Sequence, residues 1–205
     1  MQAVLAVNRV TPDPHRNLTD ILNLIAQAAR QDADLIIFPE AALTGLINDD
    51  DPAHDLPLGQ AIPGAVTDRL ALCCQSLGIW TAIGLLERDG NALYDTAVLI
   101  APDGAIRLKY RRIQPQWHGG NADPRVYRQG SEVARADTPL GRLAFLICGD
   151  LFDDSIVERV RALEPDWVLF PFARCFDDGL YDQARWDREE RPEYQQRVRR
   201  IGVTT

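Results

Sequence analysis

Two short apolar runs near the start of the chain, residues 4–7 and 35–38, bracket a stretch with helical periodicity. Within it Leu18, Ile21, Leu22, Ile25 and Ala29 recur on one helical face, and the preceding loop carries Pro12 and Pro14. That spacing predicts a helix capped by Asn17 or Thr19. Strands separated by a crossover helix cannot be hairpin partners, so the two runs are expected to be parallel and adjacent or nearly so. The chain is thereby committed to an α/β fold. In such folds the C-terminal ends of the strands gather at one edge, where sites are built.

The following elements read in the same way. Val66, Leu70, Cys74 and Leu77 give a helix face that Gly78 ends. Residues 79–86, 94–100 and 105–110 alternate with the turns Asp89-Gly90 and Pro102-Asp103-Gly104, which predicts an antiparallel meander. Residues 49–63 have no clear period and read as a surface loop. Residues 111–130 are irregular over a length usually reserved for functional loops. Pro139-Leu140-Gly141 turns the chain into a strand ending near Cys148, followed by a helix through Ile156, Val157, Val160 and Leu163. A last strand, 167–170, stops at Pro171. A charged helix follows with Tyr194, Val198 and Ile201 on its apolar face, and Val203-Thr204-Thr205 reads as the opening of another strand.

Composition narrows the function class. With 205 residues and 46% hydrophobic content, residues 1–205 suit one domain with a substantial core. A formal charge of −8 gives no general attraction for nucleic acid. No apolar stretch is long enough to span a bilayer, and no charged-then-apolar leader opens the chain, so no membrane partner is expected. The cysteines Cys73, Cys74, Cys148 and Cys175 lack CxxC spacing and read as reduced thiols of a cytoplasmic protein. His15, His54 and His118 are scattered, so neither a metal nor another cofactor is implied.

Two residues stand where chemistry is expected. Cys148 follows an apolar run and precedes Gly149, so a strand delivers a thiol to its C-terminal edge beside backbone N–H groups. Position alone does not separate a nucleophile from one more buried cysteine. Glu40 follows the second strand at Pro39 and is flanked by Phe38, Ala41 and Ala42, the setting of a partly desolvated general base. An exposed glutamate at the start of the next turn fits the position equally well. Cys74 belongs to a helix face, and Cys175 reads as a bystander just past a strand edge.

The order of DLIIFPEAALTG, LYDTAVLIAPDGAIRLKYRR and LAFLICGDLFDD resembles the carbon–nitrogen hydrolase (nitrilase) superfamily over most of the chain. The resemblance implies an α-β-β-α sandwich and a glutamate–lysine–cysteine triad acting on small amides or nitriles. It assigns Glu40 as base and Cys148 as nucleophile, with the Gly149 N–H as an oxyanion donor. At the lysine position this chain has Arg112; Lys109, the sole lysine, lies on the opposite side of the strand by parity. Arginine keeps the charge but is larger, forked and never neutral. By the resemblance the family's accessory glutamate falls on Asp123, and Gly149 replaces a larger residue, which would widen or reshape the pocket. Trp117 and His118 are candidate pocket-lining residues. Measured against the family, the chain stops before the last strands of the sandwich. An open sheet edge follows, which a homodimer would cover. The resemblance thus implies a hydrolase, a linear amidase ahead of a nitrilase. The alternatives are a relative that binds a carboxylate or amide at Arg112 without turnover, and a redox-sensitive thiol protein.

Overall fold

The computed structural model describes residues 1–46, 50–174, 176 and 182–205. Cys175 and Asp49 lie outside the described residues. In chain order the elements are β1 (Ala3–Leu5), α1 (Pro14–Ala29), β2 (Leu35–Ile37), α2 (Pro52–Asp55), α3 (Ala65–Leu77), β3 (Trp80–Asp89), β4 (Ala92–Ile100), β5 (Ile106–Arg111), β6 (Arg135–Thr138), β7 (Gly141–Phe145), α4 (Asp154–Arg161), β8 (Trp167–Leu169), α5 (Gln183–Arg185) and α6 (Arg191–Ile201). A 3-10 turn over Cys148–Phe152 separates β7 from α4.

The strands form two open sheets, β1-β2-β3-β4-β5 and β6-β7-β8. β1 pairs parallel with β2, as the crossover helix requires, and β3, β4 and β5 form the antiparallel meander. α1 begins earlier than its apolar spacing suggested. Asp13 is the cap and accepts the N–H groups of His15 and Arg16, while Pro14 takes the first helical position. Asn17 is instead fully buried. Its side-chain amide donates to the carbonyls of Thr11 and Leu43, tying the entry of α1 to the turn after β2. Residues 49–63 are also more ordered than a plain surface loop. They contain α2, whose Asp55 is buried and accepts the hydroxyl of Tyr127.

Three apolar layers explain the stacking. α1 and α3 pack Ile21, Ile25, Leu70 and Cys74 on the outer face of the first sheet, against Ile36, Ile83, Val98 and Ile100. The inner faces meet through Ala97, Leu99, Leu108 and Tyr110 from one sheet and Leu143, Phe145, Ile147 and Leu169 from the other. α4 and α6 cover the second sheet's outer face with Ile156, Val160, Tyr194 and Ile201. The result is an α-β-β-α sandwich. Each large apolar side chain buried there contributes about 1.5–3 kcal/mol. Parity along each strand decides which residues enter the middle layer, so Asp95 and Arg112 face it together with Ala97 and Tyr110. Among the described residues no helix is long and apolar enough to cross a membrane.

Candidate active site

Glu40 is held by its own turn. After β2 the backbone continues against β3, with Phe38 N–H donating to Ala82 and Ala42 N–H to Gly84. Ala41 then adopts a left-handed φ of 46°, a conformation costly for a non-glycine residue. Gly84 permits this approach, because a Cβ there would fall 2.6 Å from the Glu40 Cα and 2.7 Å from the Pro39 oxygen. Glu40 is thereby buried, which removes the exposed-cap reading. Its Oε1 accepts Arg112 Nη1 at 2.9 Å and its Oε2 accepts the Ala173 N–H at 2.8 Å.

Cys148 lies beyond the end of β7, where the chain turns into the 3-10 segment. It too is left-handed, at φ 42°. The Cys148 N–H donates to the Pro171 carbonyl at 3.1 Å, and the half-buried thiol lies 3.7 Å from the Ala173 carbonyl. A strained residue fixed from both sides aims its side chain with little freedom. The thiol is also within hydrogen-bonding reach of the Glu40 carboxylate. Burial first, then Glu40, push the Cys148 thiol up to about 12, while Arg112 works in the opposite direction. At neutral pH the sulfur therefore carries its proton, and attack needs a base beside it.

Arg112 extends the inward row of β5. Its guanidinium is almost fully buried, with Nη1 on Glu40 and Nη2 on Gln114 Oε1 at 2.8 Å. Burial disfavours its charge, but the acidic groups around it, Glu40 among them, outweigh that and hold the guanidinium protonated. Lys109 is on the other face, bound to Glu87 at 2.8 Å together with Arg111, and takes no part in this cluster. Gly149 explains how a forked side chain fits here. A Cβ at Gly149 would stand 2.3 Å from Arg112 Nη2 and 2.6 Å from Gln114 Oε1. The space left by the missing side chain is filled by the guanidinium, so the pocket is not widened there.

Two residues that drew no role from the sequence complete the arrangement. Asp150 accepts the N–H groups of Ile113, Gln114 and Ile147 and the Tyr110 hydroxyl, stitching the Arg112 segment to the Cys148 turn. Asp95 is fully buried on β4 beside Arg112, whose N–H donates to the Asp95 carbonyl at 2.8 Å. A charged residue on a strand face otherwise filled by Ala97 and Leu99 is the signal that could have exposed it.

The remaining candidates lie elsewhere. The Asp123 carboxylate is taken up by Arg125 at 2.7 Å, whose hydrogen bonds hold it down at about 2. The acid found beside Glu40 is Asp95. Trp117 is buried in a separate cluster with Leu86, Leu93 and Tyr127, and its indole N–H donates to the Arg128 carbonyl. His118 packs edge-on against Trp117, with Nδ1 2.9 Å from the Gly119 oxygen. Their irregular loop packs on residues 50–58, and the described contacts of His118 and Asp123 do not include Glu40, Arg112 or Cys148. Among the described residues no group of three or more His, Cys, Asp or Glu side chains is placed to hold a metal ion.

The α-β-β-α sandwich thus brings a buried glutamate, a guanidinium and a thiol together between its sheets. The carbon–nitrogen hydrolase profile matches residues 2–160, and the chain belongs to that family. An aliphatic nitrilase of Sinorhizobium fredii is 31% identical over 161 residues, covering 71% of this chain and 51% of the nitrilase. A nitrilase of Pyrococcus abyssi is 33% identical over 171 residues, covering 82% of this chain and 63% of its own. The chain thus spans about half to two thirds of these relatives. Among solved structures, a carbon–nitrogen hydrolase from Helicobacter pylori G27 superposes with TM-score 0.83 at 16% identity, over 97% of this chain and 68% of that one. An amidase from Nesterenkonia sp. gives 0.78 at 22% identity, over 99% and 73%.

Proposed function

We propose that the chain hydrolyses the carbon–nitrogen bond of a small linear amide through a cysteine thioester. The observation carrying this reading is the contact set of Glu40, which is fixed by Arg112 and the Ala173 N–H and reaches the thiol of Cys148. Because the thiol is protonated at rest, Glu40 takes its proton as Sγ attacks the carbonyl carbon. The oxyanion that forms is met by the positive charge of Arg112 and the Gly149 N–H. Glu40 then returns the proton to the departing nitrogen, releasing ammonia and leaving an acyl thioester. In the second half Glu40 deprotonates a water, which attacks the thioester and frees the acid and the thiol.

Butyramide, the amide that a variant of the Nesterenkonia sp. AN1 amidase holds, is a reasonable first probe beside butyronitrile. Ammonia release from butyramide, lost in Cys148→Ala and Glu40→Gln, is the expected result; release from butyronitrile alone would make the chain a nitrilase. One observation favours a second reading, a ligand-binding module without turnover. Arg112 is held by Glu40 and Gln114, which fixes the guanidinium plane, whereas a lysine ammonium in that place could turn toward an oxyanion. Calorimetric binding of butyramide or butyrate with no ammonia released would favour it.

A further inference from the structure

Asp95 lies in the buried cluster beside Arg112, and the reaction above does not use it. It is fully buried, and neither carboxyl oxygen has a hydrogen-bond donor among the described residues. The nearest cation, Arg112 Nη1, stands 3.5 Å from Oδ2, longer than a good N–H···O bond. The Asp95 carboxyl is, however, within hydrogen-bonding reach of the Glu40 carboxylate. Two carboxylates at that separation cannot both be ionised in a dry site, because they repel each other and neither is solvated. Glu40 arrives from the turn after β2, Arg112 from the end of β5, and Cys148 and Asp150 from the turn after β7. Of these four, only the guanidinium is positive. With that guanidinium paired to Glu40, an ionised Asp95 would have no counter-charge of its own.

We propose that Asp95 is a positioning residue that keeps its proton at neutral pH and donates it in a hydrogen bond to Glu40. The proposal rests on the reading of Glu40 as the base. The proton is not transferred in either half-reaction; it gives the Glu40 carboxylate a third fixed donor beside Arg112 and Ala173, leaving the remaining lone pairs directed at the thiol. Burial, followed by Glu40, pushes the Asp95 carboxyl well above the usual carboxylate range, in the same sense as the geometry.

Infrared difference spectroscopy tests this without a substrate. The wild-type protein minus Asp95→Asn at neutral pH is expected to show the carbonyl stretch of a protonated carboxylic acid. Asparagine offers an N–H donor in the same place, so Asp95→Asn should keep the iodoacetamide rate of Cys148 within a few-fold. Asp95→Leu, branched at the same carbon but bulkier and without a donor, should slow it about tenfold or more, the factor carried by one hydrogen bond to a charged group. Absence of the protonated-acid band overturns the proposal, as does a leucine variant that alkylates like the asparagine variant. If Asp95→Leu does not fold, the band and the asparagine rate decide alone. A band present in a protein that releases no ammonia would leave Asp95 as proposed and refute the hydrolase reading instead.

Discussion

Replacing Gly149 by alanine puts the pairing of Arg112 with its neighbour to a direct test. The φ of Gly149 lies outside the left-handed region, so the backbone accepts alanine and only the space is at issue. The added Cβ would stand 2.3 Å from Arg112 Nη2, 2.6 Å from Gln114 Oε1 and 3.1 Å from Arg112 Cζ, all closer than van der Waals contact allows. If the turn yields, overpacking of this kind costs about 1–3 kcal/mol. If the guanidinium yields, it leaves Glu40 and Gln114, and breaking a buried pair costs about 3–5 kcal/mol. A loss of about 2–4 kcal/mol in urea unfolding is therefore expected, together with a slower Cys148 alkylation. Lysine is slimmer at its end, so the double variant Arg112→Lys/Gly149→Ala removes the clash. It should recover at least about 1 kcal/mol relative to the sum of the single effects. A Gly149→Ala protein as stable as its parent, or single effects that simply add, would refute the argument that the glycine is there to seat arginine.

Other outcomes follow from the same cluster. The Cys148 thiol is raised from 9.0 to about 12, so the unfolded chain loses this proton first as pH rises. The stabilisation is complete below pH 9 and is lost between about 9 and 12; urea midpoints should fall across that window, less steeply in Cys148→Ala. Asp150→Ala strands three backbone N–H groups and the Tyr110 hydroxyl, and should cost about 3 kcal/mol or more in urea unfolding, with loss of Cys148 selectivity in alkylation.

Much of the fold is legible in the sequence, because it depends on short-range periodicity. The helical face of Leu18, Ile21 and Ile25 between two apolar runs required parallel strands, and Asp89-Gly90 and Pro102-Asp103-Gly104 placed the meander. Boundaries slipped where capping chemistry competed. Asp13 and Pro14 began α1 ahead of Asn17, which was drawn into the interior by the carbonyls of Thr11 and Leu43. Residues 49–63 hid α2 because a four-residue helix is too short to show a period.

The chemistry-bearing residues divide along the same line. Glu40 and Cys148 stood out in the sequence at the ends of strands, while Arg112 was singled out only through the family resemblance, with parity putting it and Lys109 on opposite faces. The sequence alone could not say that Asp95 would lie beside Glu40, that Asp123 would be spent on Arg125, or that Trp117 would fill a separate core. Those outcomes depend on which strands become neighbours across and within the sheets, a matter of packing between residues far apart in the chain. The same holds for Gly149. Its meaning comes from the guanidinium that occupies the volume a side chain would have taken, and only the packed sandwich brings the two together.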